Sequence, residues 1–394
     1  MPILNQKLKE LTDSVIGHMT ALNDATPGCI NLAQGCPEHD PPQVMLDELV
    51  KQAQGGKQHQ YAVIFGSPNL RKCIADKYSP IIGKTIDPDK EVVIACGGTE
   101  AMMAAVMAVV NPGDKVIVFS PFYEIYGTDA FLCGAEPIYV PLVPPAFDFD
   151  PAVLEDAFKQ GGVKAIVVCN PNNPSGKVFT REELLLIEQL AEKYDAFVIT
   201  DEPYEHIVYK PYEHVMAASL PGAYERTITC NSLSKTFSIT GWRLGFTIAP
   251  PEITDAIRLT HDYLTVGTAS VLQEAACAGF TLGQEYYDQL AADYEAKREI
   301  LCGGLDEIGL SYSKPNGGFF IMVDISPFLE KPQFEGWTDL QFCEWMVGEI
   351  GIAATPGSCF FAEPVTNLIR LQFASNEETL KESVKRLAKL KKYL

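Results

Sequence analysis

Apolar and polar positions along the chain lay out its elements before any single residue attracts notice. From residue 92 onward short apolar runs recur at 92–96, 115–119, 137–142, 163–169, 196–200 and 226–230, each of a length suited to a buried strand. Helical spacing fills the gaps between them. The most legible helix start is Thr180, which forms a capping box with Glu183 and is followed by Leu184, Ile187, Ala191 and Tyr194 on one face. Gly97, Gly98 and Thr99 turn the first strand into a helix over 101–110. Continuous apolar strands alternating with helices predict an α/β fold, a mostly parallel central sheet flanked by helices. Ligands of such sheets lie beyond the carboxyl ends of the strands, so the loops that follow them are the places to look for chemistry.

The flanks read differently. Residues 1–45 open on an amphipathic helical pattern and then break at Pro27-Gly28, Gly35-Cys36-Pro37 and Pro41-Pro42, the punctuation of an arm rather than a domain. A helix is predicted over 42–54, and the segment 61–71 is a loop leading into another. Beyond Gly245 come a long helical region over 270–305, strands at 319–324 and 368–373, and a closing helix over 377–393. The organisation expected is an N-terminal arm (1–45) associated with a smaller C-terminal α/β domain (286–394), and a large domain between them (46–285).

Composition narrows the function classes. At 47% apolar and 21% charged residues the 394-residue chain is an ordinary globular one. Its 51 acidic against 31 basic residues, a formal charge of −20, argue against binding nucleic acid or an anionic membrane. The longest apolar run, 101–110, is too short to cross a bilayer. Eleven cysteines are scattered without a Cys-x-x-Cys pair or metal-ligand spacing, and the first residues lack a signal-peptide core. Reduced thiols, a cytoplasmic location and no metal are expected.

Four strand-end features carry candidate chemistry. Lys235 lies in Ser232-Leu233-Ser234-Lys235-Thr236, among small and apolar residues. Desolvation there favours the neutral amine that attacks carbonyls, and a surface lysine on a serine-rich loop is the alternative. Gly97-Gly98-Thr99 opens a helix whose N-terminus suits an anion, although Thr99 could simply cap it. Ser232 and Arg243 could donate to the same anion, or Arg243 could form a surface ion pair. Asn170-Pro171-Asn172-Asn173-Pro174-Ser175-Gly176 is a tight loop able to hold an amide against a ligand, or only a turn. Asp201, ahead of Glu202-Pro203-Tyr204, ends a buried strand and calls for a cation there, or initiates a turn. A phosphate, an aldehyde for Lys235, a ring nitrogen for Asp201 and a phenolic oxygen for Asn173 and Tyr204 together describe pyridoxal 5′-phosphate.

These motifs, with Asn31-Leu32-Ala33-Gln34-Gly35, the 61–71 segment, Gly241-Trp242-Arg243-Leu244-Gly245 and Asn367-Leu368-Ile369-Arg370-Leu371, run in order almost end to end. The chain resembles the fold-type I pyridoxal-phosphate-dependent aminotransferases of class I/II, in the manner of the methionine/glutamine/aromatic and kynurenine aminotransferase branch. The resemblance implies that Lys235 carries the cofactor as a Schiff base and later shuttles a proton, and that Asp201 pairs with the pyridine nitrogen. It implies that Asn173 and Tyr204 bond the ring oxygen, that Gly98, Thr99, Ser232 and Arg243 hold the phosphate, and that Tyr123, with Phe122 as the neighbouring alternative, stacks on the ring. Arg370 would clamp the substrate carboxylate, with Gly35 and Asn173 beside it. In relatives the tyrosine matching Tyr61 reaches the neighbouring subunit's site, which implies a homodimer with shared active sites.

One departure bears on specificity. Enzymes dedicated to dicarboxylic substrates use a second arginine, and residues 261–268 contain none; Arg258 lies nearby in sequence. The expected activity is ping-pong transfer of an amino group from a neutral or aromatic L-amino acid to a 2-oxo acid. The alternative on the same residues is β-elimination from cysteine conjugates or other Cα-carbanion chemistry. A non-catalytic regulator on this fold would bring a DNA-binding domain and basic charge, neither of which the sequence contains.

Overall fold

Residues 5–11, 13–55 and 58–394 are described by the computed structural model. After one short strand, β1 (Ile30–Asn31), the apolar runs fold as β2 (Val92–Ala95), β3 (Lys115–Ser120), β4 (Glu136–Pro141), β5 (Val163–Cys169), β6 (Phe197–Asp201) and β7 (Thr227–Ser232), joined by β8 (Gly245–Ile248). Among the described residues they form one sheet in the order β2-β8-β7-β6-β5-β3-β4. The interior strands β5, β6 and β7 are almost wholly buried, which is why β5 and β6 are mostly apolar, while β7 (Thr-Ile-Thr-Cys-Asn-Ser) buries small polar residues as well. At the edge, β4 alternates buried with more exposed positions. The capping box of Thr180 and Glu183 starts the helix Arg181–Lys193, whose Leu184, Ile187 and Ala191 are buried; Tyr194 stacks on Phe158 at 5.5 Å between ring centres.

Strand β8 pairs antiparallel with both of its neighbours, while β3 to β7 pair in parallel. A parallel return needs a crossover over the sheet face. The short connection from Ser232 to Gly245 holds only the one-turn helix Leu233–Thr236 and the 3-10 turn Thr240–Trp242, so the chain comes back along β7 in the opposite sense, with Ser232 opposite Gly245.

Two compact units result. The larger comprises Cys36–Glu295 with Asn316–Gly318, and the smaller comprises Met1–Gly35, Ala296–Pro315 and Phe319–Leu394. In the smaller unit β9 (Tyr312–Ser313), β10 (Phe320–Asp324), β12 (Thr355–Pro356) and β13 (Leu368–Gln372) form an antiparallel sheet in the order β12-β13-β10-β9, while β1 pairs in parallel with β11 (Ile352–Ala353). A second capping box, Thr338 with Gln341, starts its helix Asp339–Glu349.

The long helical region expected over 270–305 is interrupted. It consists of the helix Ser270–Cys277, a 3-10 turn Ala278–Thr281 and the helix Gln284–Ile308, separated where Leu282 takes up an extended backbone (ψ 136°) ahead of Gly283. The closing helix likewise ends at Leu387 and continues as a 3-10 turn, Ala388–Tyr393. The N-terminal helical pattern becomes a 3-10 turn, Gln6–Glu10, and the helix Val15–Asp24, capped by Ser14; residues 1–4 and 12 of that stretch lie outside the described residues. Among the described residues no helix is long and apolar enough to cross a membrane.

Candidate active site

Strand register gathers the candidate residues of the larger unit at one edge of its sheet. Cys169 lies opposite Asp201, Asp201 opposite Cys230, Ser232 opposite Gly245 and Gly245 opposite Ala95. The loops that begin at Asn170, Glu202, Leu233 and Cys96 therefore leave the sheet side by side.

Asp201 is buried at the end of β6, and its Oδ2 accepts a 2.7 Å hydrogen bond from the Tyr126 hydroxyl. Burial pushes its carboxyl up to about 6; Tyr126 and the nearby Lys235 ammonium oppose that rise, and Glu202 adds to it. An aspartate in this setting is not a surface turn residue. It is a desolvated acid whose ionised form awaits a cation. Tyr126 is the member of this group that the sequence did not single out. It stands three positions after Tyr123 in the helix Ile125–Leu132, where nothing local says which tyrosine meets a strand-end carboxylate.

Lys235 is half-buried, in the one-turn helix that Ser232 caps by accepting the Ser234 N–H at 3.2 Å. Beside it lies a glycine cradle. A Cβ on Gly245 would stand 2.5 Å from the Gly97 carbonyl carbon, a Cβ on Gly98 would stand 3.3 Å from the Ser232 Cβ, and a Cβ on Gly97 would collide with the Arg243 guanidinium. Only glycine permits that approach of two loops. Arg243 is exposed, has left-handed backbone (φ 52°) and donates from one guanidinium nitrogen to the Thr240 carbonyl at 3.1 Å. The helix Gly97–Val109 has Cys96 as its N-cap and no side-chain capping bond; Thr99 lies exposed in its first turn and is not the cap. The Cys96 side chain thus leaves the first backbone N–H groups of this helix uncapped, although the Cys96 N–H itself donates to Glu100 at 2.7 Å.

On the other side, Asn173 and Tyr204 are both buried. The Asn170–Gly176 loop is held by its own amides: Asn172 Oδ1 accepts the Ser175 N–H and hydroxyl at 3.1 and 2.6 Å, Asn170 Oδ1 accepts the Phe179 N–H at 3.0 Å, and the Asn173 N–H donates to Cys169 Sγ at 3.4 Å. Phe122 stacks on Tyr139, with centroids 4.9 Å apart, whereas Tyr123 meets Tyr126 edge-on at 6.1 Å. Of the two aromatics, Tyr123 is thus the one adjoining the tyrosine that binds Asp201. Tyr61 stands 90% exposed and lines a cavity of about 380 Å³ with the segment Val266 to Val271. Arg258 packs on the Phe65 ring at 4.2 Å and donates to the Asp89 carbonyl.

The smaller unit brings Gly35 and Arg370 together. Arg370, fully buried in β13, donates to the Ala33 carbonyl at 2.8 Å and lies over the Phe320 and Phe360 rings at 4.2 and 4.5 Å. Gly35 packs so tightly against Phe320 that a Cβ there would overlap the ring. Asn31 shapes this turn by accepting the Ala33 and Gln34 N–H groups, both at 3.0 Å.

The donor set of the larger unit fits pyridoxal phosphate. A helix start opened by Gly97 and Gly98, with Ser232 and Arg243 beside the glycine cradle, suits the phosphate. The buried Asp201 suits a protonated ring nitrogen, and Lys235 an aldehyde carbon. Comparisons with known proteins agree. Residues 27–387 match the family described as Aminotransferase class I and II. The chain is 35% identical over 380 residues to kynurenine–oxoglutarate transaminase 3 of Rattus norvegicus (90% of this chain, 84% of the relative). It is 34% identical over 395 residues to the methionine aminotransferase of Escherichia coli (99% of each). The three-dimensional structure of N-succinyldiaminopimelate aminotransferase from Mycobacterium tuberculosis superposes with a TM-score of 0.92 at 33% identity, covering 98% of this chain and all of that one. The chain therefore belongs to the class I and II aminotransferases, pyridoxal-phosphate-dependent enzymes of fold type I.

Proposed function

We propose that this aminotransferase takes the amino group from a neutral or aromatic L-amino acid and passes it to a 2-oxo acid. The observation that carries the preference is the location of the arginines. Residues 261–268 include none, and Arg258 is engaged by Phe65 and the Asp89 carbonyl. Neither the 261–268 stretch nor Arg258 thereby offers a guanidinium to a distal carboxylate. The names of two of the relatives, kynurenine–oxoglutarate transaminase 3 and methionine aminotransferase, agree with that reading.

In the proposed division of labour, Gly98, Thr99, Ser232 and Arg243 bind the cofactor phosphate, Tyr123 packs on the ring, and Asn173 and Tyr204 bond its oxygen. Asp201 keeps the ring nitrogen protonated. Bound pyridoxal phosphate supplies the electron sink for a carbanion at the substrate Cα. Lys235 would hold the cofactor and, as a free amine, would move the proton from the substrate Cα. Arg370, with Gly35 beside it in the smaller unit, is read as receiving the substrate carboxylate, and Asn173 as a further substrate-binding residue. Tyr61 is read as serving the site of a second subunit in a homodimer, supported by its exposure. The arm and the C-terminal segments are read as one substrate-side domain, supported by the pairing of β1 with β11. A cytosolic location is supported by the absence of any disulfide among the eleven cysteines.

A donor panel with 2-oxoglutarate and pyruvate, scoring both new amino acid and released ammonia, tests the reading. Neutral and aromatic donors are expected to exceed aspartate in kcat/KM by roughly tenfold or more, since an unpartnered distal carboxylate is costly to desolvate. Aspartate as best donor would overturn the preference, and ammonia as main product from S-substituted cysteines would assign elimination instead. Arg370→Ala should raise KM for every donor by roughly a hundredfold, the loss of a charge-assisted bidentate contact, with cofactor content unchanged. An unchanged KM would remove Arg370 from the site.

A further inference from the structure

The helix Pro251–Thr265 buries His261 completely, and both ring nitrogens face acceptors. Nε2 lies 2.8 Å from the Ile64 carbonyl oxygen, and Nδ1 lies 2.8 Å from Glu100 Oε1. A carbonyl oxygen only accepts, so Nε2 carries a proton. A neutral ring would then aim its Nδ1 lone pair at a carboxylate, an arrangement relieved by a second ring proton and an imidazolium–carboxylate pair. The remaining groups at the ring are the Thr265 hydroxyl, 3.2 Å from Nδ1, and the charge of Asp262. Burial works against the charged ring; Glu100, with help from the Ile64 carbonyl and Asp262, outweighs it and holds the imidazole above its ordinary value.

Glu100 connects this pair to the cofactor site. Its second oxygen accepts the Cys96 N–H at 2.7 Å, at the residue that caps the helix Gly97–Val109. The carboxylate therefore braces the turn containing Gly97 and Gly98, yet its charge opposes a phosphate dianion at the same helix start. The histidine resolves that conflict. We propose that His261 is a positioning residue for the cofactor phosphate: its imidazolium cancels the Glu100 charge, lets Glu100 brace the Cys96–Gly98 turn, and ties that turn to the Tyr61 loop at Ile64. The loop on the far side of His261 meets the same carbonyl, because a Cβ on Gly267 (φ 136°) would stand 3.3 Å from the Ile64 oxygen. The proposal rests on the assignment of Gly98 and Thr99 to the phosphate.

The test compares the dissociation constants of pyridoxal phosphate and of pyridoxal, which lacks the phosphate, in wild type, His261→Gln and His261→Gln/Glu100→Gln. His261→Gln should weaken pyridoxal phosphate by roughly tenfold, about 1.4 kcal/mol, and change pyridoxal by less than about twofold, as befits a charge effect at a helix start. The double variant should recover most of that loss. Equal weakening of both ligands, or no recovery in the double variant, would show a merely structural role and overturn the proposal. Nitrogen-15 spectra of histidine-labelled holoenzyme provide a readout independent of affinity: two protonated ring nitrogens at His261 are expected, and a neutral ring would overturn the pair. Wild type that binds both ligands, with affinities unmoved in His261→Gln, would refute this proposal alone. Wild type that binds neither would refute the cofactor assignment along with it.

Discussion

Lys235→Ala protein is expected to bind pyridoxal phosphate without a covalent link and to turn over at least roughly a thousandfold more slowly, the scale of losing a positioned acid–base group. The fold should tolerate the change. Lys235 is half-buried in a helix of a single turn whose cap, the Ser232 hydroxyl on the Ser234 N–H, does not involve the lysine side chain. Ser232, Arg243 and the Gly97–Gly98 cradle, proposed to hold the phosphate, are left in place by the substitution. Borohydride treatment followed by denaturation separates the two proteins: wild type should retain reduced cofactor on its chain, and the variant should release it. A variant that still retains it places the covalent anchor on another lysine. Lys235→Arg keeps the positive charge near Asp201 but supplies no neutral amine, so its turnover should fall as far.

Asp201→Asn should have two effects of opposite sign. Its turnover is expected to drop by roughly two to three orders of magnitude, because an amide cannot keep the ring nitrogen protonated and one strong electrostatic contact to the reacting system is lost. Its stability, in protein stripped of cofactor, should rise. The Asp201 carboxyl is raised by burial from 3.8 to about 6. A raised folded value means that the native state holds its proton more tightly than the unfolded chain. The associated stability is present in full below about pH 4 and is lost as pH climbs through 6. At pH 7.5 the ionised carboxylate costs the stripped protein up to about 3 kcal/mol, and asparagine, which still accepts from Tyr126, removes that cost. Thermal melts from pH 4 to 8 check it: wild type should lose stability between pH 4 and 6.5 relative to the variant. Parallel curves would show that burial does not raise this carboxyl. Undiminished turnover would show that Asp201 is not the partner of the ring nitrogen.

Much of the fold was legible in the sequence because the buried strands of a parallel sheet advertise themselves as unbroken apolar runs. Strand β5 has the predicted bounds, 163–169, and the Thr180 capping box starts the helix it announced. Most of the candidate site followed, since the residues at the ends of β5, β6 and β7 lie where such sheets receive ligands. The parts that were missed depend on distance rather than pattern. Helical periodicity continues across Leu282–Gly283, so the break there is carried by one extended residue and is hidden from a period count. Phe122, the neighbouring alternative to Tyr123, is set apart from it only by contacts in space, stacking on Tyr139 while Tyr123 meets Tyr126 edge-on. The Tyr126–Asp201 bond spans 75 residues and the His261–Glu100 pair 161. No local rule reaches so far.

The pairing of β1 with β11 also sets a timetable for synthesis. The Thr355 hydroxyl that donates to the Ala33 carbonyl lies 322 residues downstream of it. At translation speeds of about 5–20 residues per second, the first strand waits roughly 15–60 seconds for its partner to be made. The segments of the larger unit emerge during that interval and can fold while the arm is still unmatched. A ribosome stalled near residue 300 would therefore display the strands β2 to β8 together with a tethered, unpaired Ile30–Asn31 segment.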